Sequence, residues 1–175
     1  GGARGFVNVG ALMALEEEQI PIDMITGTSM GAIVAVLYGS GLPLEEIEKL
    51  VSPEVLLPAI DINFPFNKSF LTSRKLNYIF QEIAPFKRLE DFPMPTAILS
   101  LDLTKEACIV QTKGELKDIV KGSYAIPFIF PVDKSNGSYL IDPGIVELIP
   151  ARTAKLLGAD IIISVTAFDE LPYTS

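Results

Sequence analysis

The segment Asp23 to Gly39, "DMITGTSMGAIVAVLYG", runs an apolar, β-branched stretch into Gly27-Thr28-Ser29-Met30-Gly31 and straight on into a second apolar stretch. β-Branched residues suit a strand. The residues from Gly31 to Tyr38 are apolar nearly all round, as a helix buried inside a larger fold would be. A strand that turns sharply into a buried helix restricts the chain to folds in which helices cover a sheet. Gly-x-Ser-x-Gly in that setting is also the pattern of a nucleophile elbow, where the glycines permit a strained turn and the serine is raised from the sheet. Small residues packed tightly between two elements leave the same pattern, so both readings of Ser29 stay open on this segment alone.

The rest of the chain continues the alternation. Phe6 to Gln19 places Val9, Leu12, Met13 and Leu15 near one face, which predicts a helix. "IPIDMIT" predicts the strand before Ser29, and Pro43 with Glu45, Glu46 and Glu48 opens a further short helix. Residues 52–72 interleave Pro53, Pro58 and Pro65 with Phe64, Phe66 and Phe70, an irregular stretch too apolar for a loose linker. Ser73 can cap a helix carrying Leu76, Ile79, Phe80 and Ile83 at three- and four-residue spacing. "TAILSLDL" and "ACIVQT" read as strands joined by a turn at Lys105-Glu106, "SYLI" as another, and "DIIISVTAF" as a last one after the helical "ARTAKLLG". The 175 residues, 49% of them hydrophobic, are enough for one domain with a real core, residues 1–175. The expected architecture is α/β, a three-layer α/β/α arrangement with a mainly parallel central sheet. Such a sheet puts its chemistry beyond the carboxyl ends of the strands, where "GTSMG" and "GGARG" both fall.

Composition closes off several functions. Fourteen basic against 22 acidic residues, a net charge of -8, argue against a nucleic-acid partner and give no attraction to an anionic membrane. The longest apolar runs, Ala32 to Leu37 and Ile161 to Val165, fall far short of the roughly 18 residues of a membrane-spanning helix. Cys108 has no partner for an internal disulfide and reads as a buried small hydrophobe. That fits a reducing compartment, and with no signal peptide visible the expected location is cytoplasmic. No G-x-G-x-x-G and no G-x-x-x-x-G-K-[ST] occurs, so neither a dinucleotide nor a nucleotide-phosphate loop is supported.

The chain contains no histidine, which rules out a Ser-His-Asp triad or a histidine-bearing zinc site within it. It has no Ser-x-x-Lys either. The remaining candidate base is a carboxylate. Asp142 in "YLIDPG" ends an apolar strand, where a side chain can reach the loop face that carries Ser29. With an ordinary pKa of about 3.9 it would need a short, desolvated contact with the serine hydroxyl. The same residues read equally as a turn-forming Asp-Pro-Gly. "GGARG", directly before a helix, supplies backbone N–H groups suited to an oxyanion, or is a plain turn with Arg4 as a surface charge.

In the order glycine-rich loop, Gly-x-Ser-x-Gly, strand-terminal Asp, the chain resembles the patatin-like phospholipase family over nearly all its length. "GGARG" is similar to the tail of the family's G-G-G-x-[RK]-G loop, "GTSMGA" to its elbow, and "YLIDPG" stands where it has Asp-Gly-Gly or Asp-Gly-Ala. "LSLDLTKEA", "KGSYAIPFIFPV" and "PARTAKLLGADIIISV" are similar to connecting stretches of bacterial members. The resemblance implies hydrolysis on a Ser-Asp dyad without histidine. Ser29 would attack an ester carbonyl, while Asp142 would take its proton and later activate the water that releases the acid. Amides of Gly1, Gly2 and Ala3, with the elbow helix, would hold the oxyanion, Arg4 would fix the loop, and Gly27 and Gly31 would shape the elbow. The implied substrate is a lipid or another carboxylic ester, with peripheral membrane contact compatible, no metal, no cofactor and the oligomeric state open. A non-catalytic lipid-binding or interaction module and a soluble short-chain esterase are the alternatives.

Three departures from the family pattern carry expectations. The loop's first glycine and the apolar strand before it are not in the sequence, so the natural protein is expected to extend upstream with both. Pro143 replaces a glycine, removes an N–H and pushes Asp142 towards extended backbone angles. Asn8 stands where many bacterial members carry a histidine outside the dyad. The Phe64 to Leu71 stretch reads as an apolar lip for an acyl chain or membrane surface, or as a packed core loop.

Overall fold

A computed structural model describes residues 6–52, 54, 86–124, 133–135 and 138–166. The glycine-rich loop with Gly1, Gly2, Ala3 and Arg4, the Phe64 to Leu71 stretch and the helix expected after Ser73 lie outside these residues.

Helix α1 (Phe6–Glu17) buries Val9 and Leu12, three positions apart and therefore on one face. Its end is closed by Gln19 at φ 56, with the Ile20 N–H donating to the Leu15 carbonyl, a left-handed cap of Schellman type. Strand β1 (Ile25–Gly27) leads into helix α2 (Met30–Gly39), which is buried from Ala32 through Leu37, as its unbroken apolar composition predicts. Helix α3 (Leu44–Val51) has two faces. Leu44, Ile47, Leu50 and Val51 point inward, Glu45 and Glu46 sit in the first turn and Lys49 in the last, matching the helix dipole at both ends.

Strand β2 (Thr96–Asp102) is buried along its whole length and organises the sheet. Its neighbours are β1, the hairpin partner β3 (Ala107–Gln111), and β5 (Ser138–Ile141), which pairs in turn with β4 (Asp133–Ser135). Helix α4 (Leu116–Tyr124) and helix α5 (Ala151–Leu156) complete the order. One core cluster joins Val9 and Leu12 of α1, the buried faces of α2 and α3, Leu116, Ile119 and Val120 of α4, and Ile98 of β2. The helix-covered sheet of an α/β fold is therefore as expected.

The strand directions are more mixed than expected. Among the described residues β1–β2 is parallel, while β2–β3, β2–β5 and β4–β5 are antiparallel. For β2–β3 and β4–β5 the reason is loop length: parallel neighbours need a crossover of about a dozen residues or more, and these tight connections leave no room for one. Other differences are local. The strand expected over "IPIDMIT" forms only from Ile25, whose N–H donates to Pro95 O at 3.0 Å, because β2 offers no ladder before that point. The strand expected at "DIIISVTAF" is not one over its described part, residues 160–166, and Ile161 and Ile163 are 86% and 56% exposed. A strand exists only as part of a ladder, and no described strand lies beside this segment. Cys108, expected to be buried, is only half-buried on β3.

Candidate active site

The site begins with backbone geometry. Ser29 sits between β1 and α2 at φ 56, ψ -128, a conformation that L residues rarely adopt and that costs on the order of 1–3 kcal/mol. Serine is also a preferred helix cap, yet the Ser29 side chain makes no capping hydrogen bond to α2. Strain is therefore held at this residue without its hydroxyl serving the helix. The first amides of α2, which have no carbonyl partner within the helix, gather beside it.

The turn fixes its glycines unequally. A Cβ on Gly27 would lie 2.7 Å from Ala32 Cα and collide with the Gly31 carbonyl oxygen, so only glycine fits there. A Cβ on Gly31 would meet nothing nearer than Asn8 Nδ2 at 3.7 Å, an ordinary contact. Asn8, on α1, lines the same cavity as Ser29.

Asp142 is 6% exposed, at φ -59 and ψ 122, the extended setting that a following proline imposes. Pro143 opens a 3₁₀ turn, Pro143–Ile145, that Asp142 caps: its Oδ1 accepts the Gly144 N–H at 2.8 Å. The Pro143 carbonyl accepts the N–H groups of Val146 and Glu147, both at 2.8 Å. The first position of such a turn has no N–H partner to lose, so proline suits it. The Asp-Pro-Gly reading and a fixed carboxylate are thus the same geometry.

The ladder registers state where these two residues lie. Ile98 pairs with Gly27 and also with Gln111, while Leu101 pairs with Ile141 and also with Cys108. A residue has one partner on each edge, so β1 and β5 share the edge of β2 opposite β3. They run in opposite directions along it, their carboxyl ends facing each other across the gap between Ile98 and Leu101, roughly 10 Å at strand rise. Thr28 and Ser29 leave the ladder at one end of that gap and Asp142 at the other.

Under the gap lies Ser100, fully buried, whose Oγ accepts the Gln111 Nε2–H at 2.8 Å. Sequence reasoning passed over this pair, and only the register of β2 and β3 brings it to the site. Asp102, also fully buried, accepts the Thr104 and Lys105 N–H groups at 2.9 and 3.3 Å with Lys105 Nζ at 3.4 Å, and shapes the turn into β3. Among the described residues no cluster of metal-ligating side chains occurs, and no helix is long and apolar enough to cross a membrane.

Comparison with known proteins adds three findings. The family model described as patatin-like phospholipase matches residues 1–155. The chain is 30% identical over 176 residues to the mouse patatin-like phospholipase domain-containing protein 6, covering 94% of this chain and 13% of the relative. It is 30% identical over 178 residues to lysophospholipase NTE1 of Phaeosphaeria nodorum, covering 97% of this chain and 12% of that one. The chain thus spans about an eighth of the length of these relatives. The crystal structure of VipD from Legionella pneumophila superposes with a TM-score of 0.64 at 14% identity, over 84% of this chain and 45% of that one, a likeness of fold.

Proposed function

The chain belongs to the patatin-like phospholipase family, and from that premise we propose that it is a serine acyl hydrolase of lipid esters acting through a Ser29–Asp142 dyad. The observation that carries the reading is the strained φ of Ser29 at the β1–α2 turn, facing the Asp142 end of β5 along one edge of β2. The name lysophospholipase borne by one relative supports a lipid ester as the substrate class.

The proposed reaction has two halves. Ser29 Oγ bonds to the ester carbonyl carbon while its proton passes to the Asp142 carboxylate, and the carbonyl oxygen becomes an oxyanion. The first amides of α2 stand where that charge develops, with the amides of Gly1, Gly2 and Ala3 as proposed co-donors and Arg4 as the anchor of their loop. Collapse breaks the bond to the leaving alcohol, which takes the proton from Asp142 and departs, leaving an acyl-enzyme. Water then gives its proton to Asp142 and its oxygen to the acyl carbon; release of the acid returns the proton to Ser29. The Oδ1 bond to Gly144 fixes the carboxylate while it works as the base.

A fluorophosphonate probe is expected to label the wild type and not Ser29→Ala. Asp142→Asn, with its circular dichroism unchanged, is expected to lose ester turnover by about 10²–10⁴-fold. Full turnover by the Asp142 variant would rule out the dyad, and labelling that does not depend on Ser29 would rule out the nucleophile. A panel of esters of rising acyl length, with activity increasing towards long chains, supports a lipid substrate; a maximum at acetate opposes it.

A further inference from the structure

Strand β2 presents Ile98, Ser100 and Asp102 to one face of the sheet, because side chains alternate along a strand. Two of the three have a structural task. Ile98 belongs to the core cluster with the helices, and Asp102 holds the turn into β3 through the N–H groups of Thr104 and Lys105. Ser100 lies between them, fully buried, with the Gln111 Nε2–H donating to its Oγ at 2.8 Å. Replacing both partners of a buried hydrogen bond by apolar groups of the same shape is nearly neutral, so stability alone does not call for this pair.

The ladder register says what Ser100 faces. The Leu103 N–H donates to the Tyr139 carbonyl at 2.9 Å, so Leu103 and Tyr139 are a hydrogen-bonded pair of the antiparallel β2–β5 ladder. Hydrogen-bonded and non-hydrogen-bonded pairs alternate, which makes Leu101 with Ile141 the first kind and Asp102 with Leu140 the second. The next pair in this register is Ser100 with Asp142, again of the second and closer kind, with Cα atoms about 4.5 Å apart and both side chains on one face. Asp142 keeps extended backbone angles, φ -59 and ψ 122, so the course of β5 carries on to it. From the other side Ile98 opposes Gly27, and two residues further along the two parallel strands come Ser100 and Ser29. Ser100 is thus the β2 residue at the level where both strand ends converge.

Hydrogen-bond counting leaves one donor and one acceptor between them. A serine hydroxyl has one proton and two lone pairs. Gln111 takes a lone pair of Ser100, and the proton has no acceptor among the described residues. Gly144 occupies Oδ1 of Asp142, and Oδ2 has no donor among the described residues. At a Cβ separation of about 4.5–5.5 Å, rotation about the two Cα–Cβ bonds brings the hydroxyl and Oδ2 within hydrogen-bond reach.

We propose that Ser100 is a positioning residue of the dyad, oriented by Gln111 and donating its hydroxyl proton to Asp142 Oδ2. The carboxylate is then held at both oxygens, and each oxygen keeps a second lone pair for the proton of Ser29. This role rests on Asp142 being the base, as proposed above.

The experiment measures fluorophosphonate labelling of Ser29 and hydrolysis of p-nitrophenyl butyrate by the 175-residue chain and its variants. Ser100→Ala is expected to lower kcat and the labelling rate by about tenfold with KM unchanged. Ser100→Thr, which keeps the hydroxyl on a residue suited to a strand, is expected to restore most of the loss. Gln111→Leu is expected to lose part of the rate, and adding it to Ser100→Ala to lose no more. In the Asp142→Asn background Ser100→Ala is expected to leave the residual labelling rate nearly unchanged, whereas a merely structural serine costs the same in both backgrounds. Equal costs in the two backgrounds, or an unchanged kcat in Ser100→Ala, overturn the proposal. The carbon-13 resonance of Asp142 Cγ in aspartate-labelled protein, identified by its absence in Asp142→Asn, reads the contact without turnover. It is expected to move in Ser100→Ala and to return in Ser100→Thr; a resonance that Ser100→Ala leaves in place overturns the contact. Labelled Ser29 with an unmoved resonance sinks the positioning role alone, and a moved resonance in a chain whose Ser29 is not labelled sinks the hydrolase alone.

Discussion

Gly27 and Gly31 are interchangeable in a Gly-x-Ser-x-Gly pattern and different in the folded chain. Gly27→Ala would drive a methyl group into the backbone of Gly31 and Ala32, and is expected to destabilise by about 1–3 kcal/mol. Gly31→Ala has space and lies inside α2, so it is expected to be neutral or to gain up to about 1 kcal/mol. Urea denaturation of the two variants decides this, and equal costs would refute the geometry of the turn. Ser29 offers a companion measurement. Alanine inherits the strain at φ 56 and glycine does not, so Ser29→Gly is expected to be more stable than Ser29→Ala by about 1–3 kcal/mol. The positions of Ser29 and Asp142 at strand ends were legible in the sequence because each strand end is punctuated. Ser100 and Gln111 were not, because a serine and a glutamine in alternating strands look like any others until the hairpin register aligns them.

Helix α1 is tied to α2 near the carboxyl ends of both by one hydrogen bond, from the Tyr38 hydroxyl to Glu16 Oε1 at 2.9 Å. Partial burial and this bond raise the Tyr38 pKa from 10.0 to about 12. The folded pKa lies above the unfolded one, so folding favours the protonated phenol. Its contribution is whole below pH 10 and is lost as pH rises from 10 to about 12. In a spectrophotometric titration of the native protein, Tyr38→Phe is expected to remove one phenol ionisation near pH 12; an unchanged titration in that range would show that the tether is absent. Elements marked by apolar spacing or an unbroken apolar run were readable: α1, α2, α3, β2, β3 and α5 all stand where the sequence puts them. Helix α4 was missed although Leu116, Ile119 and Val120 have helical spacing, because its nine residues are short and flanked by Gly114 and interrupted by Gly122. The apolar run at Ile161 was misread for a different reason. Composition reports what a segment suits, while strand formation also requires a neighbour, and no sequence window contains that information.

The chain as a whole combines two opposing surface properties. Its net charge of -8 repels other copies, yet Ile161 and Ile163 are exposed beside β1, which has no described partner on its side away from β2. Exposed apolar side chains next to open backbone groups are the usual seed of edge-to-edge association. Charge repulsion acts over a Debye length of about 10 Å at 0.1 M salt and about 3 Å at 1 M, whereas the apolar contact is not screened. The 175-residue chain is therefore expected to self-associate more strongly as salt is raised, the reverse of an association driven by opposite charges. The double substitution Ile161→Glu with Ile163→Glu is expected to weaken this association at every salt concentration, because it places like charges at the contact. Sedimentation velocity across a salt series measures both effects. A chain that stays monomeric at high salt, or a double variant that associates as strongly as the parent, would place the sticky surface elsewhere and leave the exposed isoleucines without consequence.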